Sequence, residues 1–329
     1  MKIAIFETKP FEKVFFTKAL AGHDLFFSPL EADEYVLKEA KKQPYRAVSG
    51  FIYSNFTKEV LDYFPKLKLI ATRSTGTDHI DKKECRRRKI AILNVPEYGT
   101  NTVAEHTWGL ILSLTRKIYP SIDQIKEQAN FSRENLCCTD VFGKTLGLVG
   151  CGKIGKRVGE IARVFGCHVI AYDPYYSAKD LAGIGFLKAE LSDVYQKADI
   201  ISFHAPLTPE TKHIFSRKEV ALLKKGVYIV NTARGGLLET KALLEGLQNG
   251  LIAGVGLDVL ENEEELMEEA EGWHGRKLEK AVLEIALQNH MLIHNPRVIV
   301  TPHNAFNSSE ALERIMQVTA NNILGSVCL

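Results

Sequence analysis

At 329 residues the chain is long for one ordinary domain and suits two, at roughly 100–200 residues each. It is 45% hydrophobic and 25% charged, near the soluble average, which excludes a disordered chain. Lys and Arg number 42 against 40 Asp and Glu, a net charge of +2, and this excludes nucleic-acid binding driven by bulk charge. No apolar run reaches the ~18 residues of a membrane-spanning helix.

Strand-like runs in the first hundred residues are Lys2–Phe6, Leu25–Phe27, Ala47–Ile52, Leu69–Thr72 and Ile90–Leu93. Polar stretches with helical spacing, such as Glu31–Lys42 and Thr57–Phe64, lie between them. Strands alternating with helices predict a parallel sheet covered by helices. The basic run from Lys82 to Lys89 reads as a charged helix face rather than a nucleic-acid patch. Thr102-Val-Ala-Glu105 forms a capping box, and Val103, Thr107, Leu110, Leu114 and Ile118 recur at helical spacing up to Pro120. Residues 121–140 carry no clear period and read as a connection.

The alternation then restarts. Strands are predicted at Thr145–Val149, His168–Tyr172, Ile200–Phe203, Val227–Val230, Ile252–Leu257 and Val298–Val300. Helices are predicted at Ile154–Phe165, Lys241–Asn249, Leu278–Leu287 and Ser308–Leu324. Between Glu261 and Glu271 there are seven Glu, which read as a solvated surface excursion or, alternatively, as a lid or partner surface. Six scattered Cys, with Cys137 and Cys138 adjacent, fit neither a zinc site nor a redox C-x-x-C, so no metal is expected. Glu7 interrupts any N-terminal apolar stretch and Cys328 stands one place from the end, so neither a signal peptide nor a prenylation box is expected, and reduced thiols in a cytoplasm are.

The strongest local signal is the G-x-G-x-x-G of Gly150, Gly152 and Gly155, placed between a predicted strand and a predicted helix. Gly150 permits a tight turn, Gly152 lets backbone approach a pyrophosphate, and Gly155 lets helix pack on strand. The helix start at Lys153 and Ile154 offers free N–H groups and the positive dipole end to phosphate. Asp173, eighteen residues after Gly155, ends the next strand. A carboxylate there accepts from ribose hydroxyls and repels a 2′-phosphate, and no Arg follows it directly. NAD is therefore favoured over NADP.

The sequence resembles the D-isomer-specific 2-hydroxyacid dehydrogenase family over essentially its whole length. The resemblance rests on Ala71–Asp81, the glycine motif, His204–Thr211, Asn231–Gly236, Gly256–Glu263 and Thr301–His303. It implies an α/β protein with parallel sheets, a Rossmann NAD domain (99–300) inserted in a flavodoxin-like substrate domain (1–98 plus 301–329), and an active site in the cleft between them. It also implies catalytic roles for Arg234, Glu263 and His303. A His poised near neutral pH can give the proton that a developing alkoxide needs, a carboxylate raises its pKa and fixes its tautomer, and an Arg fork matches a carboxylate. Singly, each residue has a plainer reading: a loop cap, a surface ion pair, one Glu of an acidic run.

Among cofactor contacts the resemblance adds Thr102 near the nicotinamide. Ala205, Pro206 and Thr211 would lie around the adenosine and diphosphate, and Thr232, Ala233 and Asp258 at the carboxamide end. His204 would line the cofactor groove, and His106 and Trp108 read as packing residues. Thr75 and Gly76, in Ser74-Thr-Gly, would meet the substrate carboxylate through backbone N–H groups. Tyr53, Tyr98 and Phe306 are similar to the pocket walls of the D-lactate dehydrogenase branch, which predicts reversible reduction of pyruvate or a similar small 2-oxo acid by NADH, in a homodimer. Alternatives are a hydroxyisocaproate-, glycerate-, phosphoglycerate- or phosphite-type dehydrogenase, or an NADH-sensing corepressor-like protein. Glu263 argues against a formate enzyme, which would carry Gln there.

Overall fold

The computed structural model describes residues 1–39, 41–263 and 280–326, the side chain of Ala281 apart; the acidic stretch from Glu264 to Glu271 lies outside the described residues. The chain forms two compact units, one from Met1–Gly99 with the chain from Asn307 onward, the other from Thr100–Phe306.

In the first unit, strands β1 (Lys2–Ile5), β2 (Asp24–Phe27), β3 (Ala47–Ser49), β4 (Leu69–Ala71) and β5 (Ala91–Leu93) alternate with helices α1 (Pro10–Ala19), α2 (Ala32–Glu39), α3 (Lys58–Leu61) and α4 (Lys82–Arg88). All pairs are parallel and the order is β2-β1-β3-β4-β5, a flavodoxin-like doubly wound sheet. Successive strand residues face opposite sides, so the apolar runs serve two cores. Ile3, Ile5, Ala47, Leu69 and Ala71 pack with Phe16 of α1, with Leu20 that caps it, and with Met316, Ala320 and Ile323 of the C-terminal helix. Ala4, Val48 and Ile70 pack with Tyr35, Val36, Leu61 and Phe64 on the other face. The basic run is indeed helical. Its buried Glu84 binds Arg87 and Arg88, and Arg88 also binds Asp62.

In the second unit the elements run α5 (Thr100–Thr115), α6 (Ile118–Gln128), β6 (Thr145–Val149), α7 (Lys153–Val164), β7 (His168–Tyr172), α8 (Ala178–Gly183), β8 (Leu187–Lys188), α9 (Leu191–Lys197), β9 (Ile200–Phe203), α10 (Arg217–Val220), β10 (Val227–Asn231), α11 (Thr240–Gln248), β11 (Ile252–Leu257), α12 (Lys280–Ile293) and β12 (Val298–Val300); α13 (Ser309–Gly325) returns to the first unit. The parallel order β12-β11-β10-β9-β6-β7-β8 is that of a Rossmann sheet. Its halves diverge between β6 and β9, the switch point where such sheets bind ligands.

Three sequence expectations change. The helix α5 opens at Thr100, so Thr102 lies in its first turn and is not its cap. The break after α5 falls at Lys117, whose φ is 49°, and Pro120 sits in the first turn of α6, where a missing N–H costs little. Residues 121–128, the first part of the 121–140 stretch read as connection, belong to that helix. The apolar stripe of α5 is used inside its own unit: Ala104, Trp108, Ile111 and Leu114 are buried against β6, β7 and α7 side chains, and Trp108 Nε1 donates to Val158 O at 3.0 Å. The short β8 carried no readable signal.

Glycines decide how closely helices lie on this sheet. A Cβ on Gly147 of β6 would stand 2.7 Å from Val194 and 2.9 Å from Ala198, both packed by α9. On Gly109, in the middle of α5, it would meet nothing within 4 Å. Urea unfolding of the two Ala variants should therefore move in opposite directions. Gly147→Ala should lose about 1–3 kcal/mol to overpacking, and Gly109→Ala should gain about 0.5–1 kcal/mol of helix propensity. Equal effects would show that these contacts do not govern the packing.

Candidate functional site

Parallel strands end on one edge of a sheet, and each predicted catalytic residue of the second unit follows such an end. The register aligns Asn231 of β10 with Leu257 of β11, and Leu257 with Val300 of β12. Arg234, Glu263 and His303 lie in the segments leaving these three adjacent strands. His303 Nδ1 stands 2.7 Å from Glu263 Oε1 across a sequence separation of 40. The other carboxylate oxygen of Glu263 accepts from Leu260 N at 3.2 Å. The carboxylate on Nδ1 selects the Nδ1–H tautomer and leaves Nε2 as the exchangeable nitrogen.

Buried side chains shape these segments. Asn231, fully buried, accepts from Ala233 N through Oδ1 and donates from Nδ2 to Arg234 O, so it closes the turn that presents Arg234. Arg234 NH1 donates to Ala233 O at 2.7 Å. Thr232 Oγ1 bonds Thr107 Oγ1 of α5 at 2.8 Å. Asp258, 1% exposed, accepts from Asn304 N and Ala305 N, each at 2.8 Å, and from the Thr301 hydroxyl. His106 Nε2 lies 3.4 Å from the same carboxylate and 3.0 Å from Thr301 Oγ1. Burial works to raise the Asp258 pKa, but the bonds from His106, Thr301, Ala305 and Asn304 outweigh it and hold the carboxyl below its usual range. The turn it fixes carries His303 at φ 48°, a left-handed conformation that a non-glycine residue keeps only where its surroundings enforce it.

On the other half of the sheet, the loop after β6 fits a dinucleotide. Gly150 has φ 92°, and a Cβ there would stand 2.6 Å from Ala205 N. A Cβ on Gly155 would stand 2.3 Å from Gly150 O, so this glycine sets the approach of α7 to the turn. At Gly152 the space beyond the backbone is open, and Gly152 caps α7 with no side-chain bond. The first residues of α7, Lys153 and Ile154, thus present a helix N-terminus to an open approach, which suits a pyrophosphate. Asp173, 7% exposed, follows β7 and accepts from Cys151 N at 2.7 Å and Tyr175 N at 2.9 Å. It ties the glycine loop to the strand end where a ribose would sit.

After β9, burial pushes the His204 pKa down to about 3, and its Nε2 bonds Ser202 Oγ at 2.8 Å. That ring is neutral at physiological pH. Ala205 is buried, and the turn beyond it is stapled by Thr211, whose hydroxyl donates to Pro206 O at 2.6 Å and accepts from Thr208 N at 2.8 Å.

The remaining predicted residues belong to the first unit, except Phe306 at the end of the second. Tyr53, the Ser74–Gly76 loop and Tyr98 follow the neighbouring strands β3, β4 and β5. Thr75 Oγ1 donates to Val95 O at 2.8 Å, and Ser74 Oγ donates to Gly76 O at 2.6 Å, which makes the loop rigid. Tyr98 O accepts from Arg314 Nε of α13 at 2.8 Å.

Sequence reading missed three participants. Asn231 had a signal, an Asn closing a strand before a turn. His106, read as packing, is polar-bonded to residues far along the chain, and nothing local announces this. Glu261, read as part of a solvated run, is 8% exposed and fully bonded. Among the described residues no group of three or more metal-ligating side chains occurs.

The family model for the NAD-binding domain of D-isomer specific 2-hydroxyacid dehydrogenases matches residues 108–305. A 2-hydroxyacid dehydrogenase homolog of Haemophilus influenzae is 34% identical, covering 100% of this chain and 98% of its own. The D-lactate dehydrogenase of Escherichia coli is 33% identical over 98% of this chain and 96% of its own. The crystal structure of D-lactate dehydrogenase from Aquifex aeolicus complexed with NAD and lactic acid superposes with a TM-score of 0.88 at 34% identity, covering 99% of this chain and 95% of that one.

A cofactor whose ribose sat at the end of β7 would bring a 2′-phosphate against the like charge of Asp173. NADH should therefore bind more tightly than NADPH, and Asp173→Asn, which keeps an acceptor for the loop, should narrow the ratio by about tenfold or more, about 1.4 kcal/mol. Fluorescence titration of both cofactors checks this; equal affinities in the parent protein would contradict it.

Proposed function

We propose that this chain, which belongs to the D-isomer-specific 2-hydroxyacid dehydrogenase family and is an NAD-dependent oxidoreductase, is a D-lactate dehydrogenase interconverting pyruvate and D-lactate. The observation that carries the reading is the 2.7 Å contact of His303 with Glu263 on a strand edge that also bears Arg234.

NADH, when bound, supplies the hydride. His303 gives the proton to the carbonyl oxygen through Nε2 in reduction and takes it from the hydroxyl in oxidation. Glu263 holds the ring and fixes its Nδ1–H tautomer, which leaves Nε2 for the substrate proton. Arg234 presents a planar fork that suits the substrate carboxylate and the polarised carbonyl. The backbone N–H groups of Thr75 and Gly76 bind the carboxylate, and the hydrogen bonds that stiffen their loop support this role. Thr102, Thr232, Ala233 and Asp258 serve the nicotinamide end of the cofactor; His204, Ala205, Pro206 and Thr211 line its diphosphate and adenosine end. The loop bonds of Asp258 and Thr211, and the neutral His204, support positioning rather than proton transfer. Tyr53, Tyr98 and Phe306 limit the substrate side chain to a small aliphatic group.

The first unit is then the substrate domain. The protein works as a homodimer joined through the second unit. Support comes from α6, which buries none of its residues and exposes Ile118, Ile122 and Ile125 at helical spacing, with Tyr119 and Phe131 also exposed. Among the described residues no helix is long and apolar enough to cross a membrane, and this reading carries with it a cytoplasmic setting.

A steady-state panel of 2-oxo acids with NADH tests this function. Pyruvate should give the highest kcat/KM, and Tyr98→Ala should move preference toward bulkier acids by roughly 10–100-fold, about 1–3 kcal/mol. Turnover of no 2-oxo acid would refute the reading, and an unchanged profile in the variant would place the walls elsewhere. Sedimentation at micromolar concentration should give a dimer, which Ile122→Glu with Ile125→Glu should dissociate; a monomeric parent would contradict the assembly.

A further inference from the structure

A second histidine–carboxylate pair stands on the same short segment as the first. Glu261 Oε1 lies 2.6 Å from His213 Nε2. Glu261 Oε2 accepts from Thr240 N at 3.0 Å and from Thr240 Oγ1 at 2.9 Å, and its carbonyl accepts from Asn289 Nδ2 at 2.7 Å. A carboxylate this buried is costly unless every lone pair is used, so this residue is built in and is not an overspill of the acidic run.

The partners show what it joins. Thr240 opens α11 just beyond the turn that follows Arg234. The backbone N–H of His213 donates to Gly236 O of that turn at 2.9 Å, and His213 itself is held at φ 51°. On the other side, Leu260, whose N–H binds Glu263, lies so near Gly235 that a Cβ there would come within 1.9 Å of Leu260 O. The turn carrying Arg234 and the segment carrying Glu263 are therefore fastened to one another, and the Glu261 carboxylate is the fastening.

We propose that Glu261, with His213, is a positioning residue that fixes Glu263 on His303 Nδ1 and holds the Arg234 turn in register with it. This rests on the roles given above to His303, Glu263 and Arg234. With the fastening gone, Glu263 spends less time on the ring, Nε2 is less often presented to the substrate, and kcat for pyruvate reduction falls. The loosened Arg234 turn raises KM for pyruvate. The glycine loop of β6 is untouched, so NADH affinity is kept.

The experiment is kcat and KM for pyruvate, with NADH dissociation constants and melting temperatures, in the full chain and its Glu263→Gln, Glu261→Ala, Glu261→Gln, His213→Ala and His213→Gln variants. Glu263→Gln sets the full loss of kcat. Glu261→Ala and His213→Ala should lose part of that kcat and raise KM, roughly 10–100-fold in kcat/KM together, the usual cost of removing a supporting partner. Their NADH affinity should stay within about twofold, and the Gln variants, which retain hydrogen-bonding groups, should recover most of the loss. His213 is half-buried and its variants test the proposal even if Glu261→Ala does not fold. If Glu263→Gln lowers kcat while the Glu261 and His213 variants keep the parent kcat and KM and merely melt earlier, their role is structural only and the inference is overturned. If Glu263→Gln itself leaves kcat in place, it is the pairing of Glu263 with His303 that fails, and the inference falls for that separate reason.

Discussion

Every loop that leaves the working edge of these parallel sheets must satisfy its backbone N–H groups without a neighbouring strand, and buried acceptors at the strand ends do this. Asp173 takes Cys151 N and Tyr175 N, Asn231 takes Ala233 N, Asp258 takes Asn304 N and Ala305 N, and Glu261 takes Thr240 N. The first unit repeats the device: Glu7, at φ 51°, takes Phe51 N at 2.8 Å and Ser54 N at 2.9 Å and so fixes the loop that contains Tyr53. Asp173, Asn231, Asp258 and Glu261 are buried at a desolvation cost that only several hydrogen bonds offset, so a loop pinned this way has one low-energy shape. The segments that bear the chemistry inherit that rigidity. Ion pairs on the outer surface, such as Lys38 with Glu34, contribute little by comparison.

The division of labour among carboxylates follows from this. Five acidic side chains at strand ends or in the loops beyond them are spent on backbone or histidine, and their environments separate their roles. Asp258 is held ionised against burial by a ring of donors, which suits a pin. Glu263, partly exposed, has one oxygen on a backbone N–H and the other on a histidine ring, which suits a group that must respond to a proton arriving and leaving. His204 and His303 make the same contrast between histidines: desolvation keeps the first ring neutral beside the Ser202 hydroxyl, while the second faces a carboxylate.

Much of this was legible in the sequence, for local reasons. A parallel strand buried on both faces reads as a short apolar run, so β6, β7, β9, β11 and β12 have the bounds their residues suggested. The glycine loop declares itself because its constraints are steric and lie within a few residues. The remainder depends on long-range contact. The capping box at Thr102 was a sound local pattern, but the helix begins two residues earlier. The helix α6 carries Ile118, Ile122 and Ile125 at helical spacing, but Pro120 inside its first turn read as a stop and masked the pattern. Glu261 could not be told from its acidic neighbours because what buries it comes from His213, Thr240 and Asn289, between 21 and 48 residues away. His106 is further still from the Thr301 it binds, 195 residues along the chain.

The central claim is that Glu263 sets the tautomer of His303 and leaves Nε2 to handle the substrate proton. Nitrogen-15 NMR of ring-labelled histidine in the NADH complex, at a pH where His303 is neutral, reads this directly, with His303→Gln identifying the signal. The account predicts a protonated, hydrogen-bonded Nδ1 and a bare Nε2, with that preference lost in Glu263→Gln. A ring protonated at Nε2 with a bare Nδ1 would contradict it.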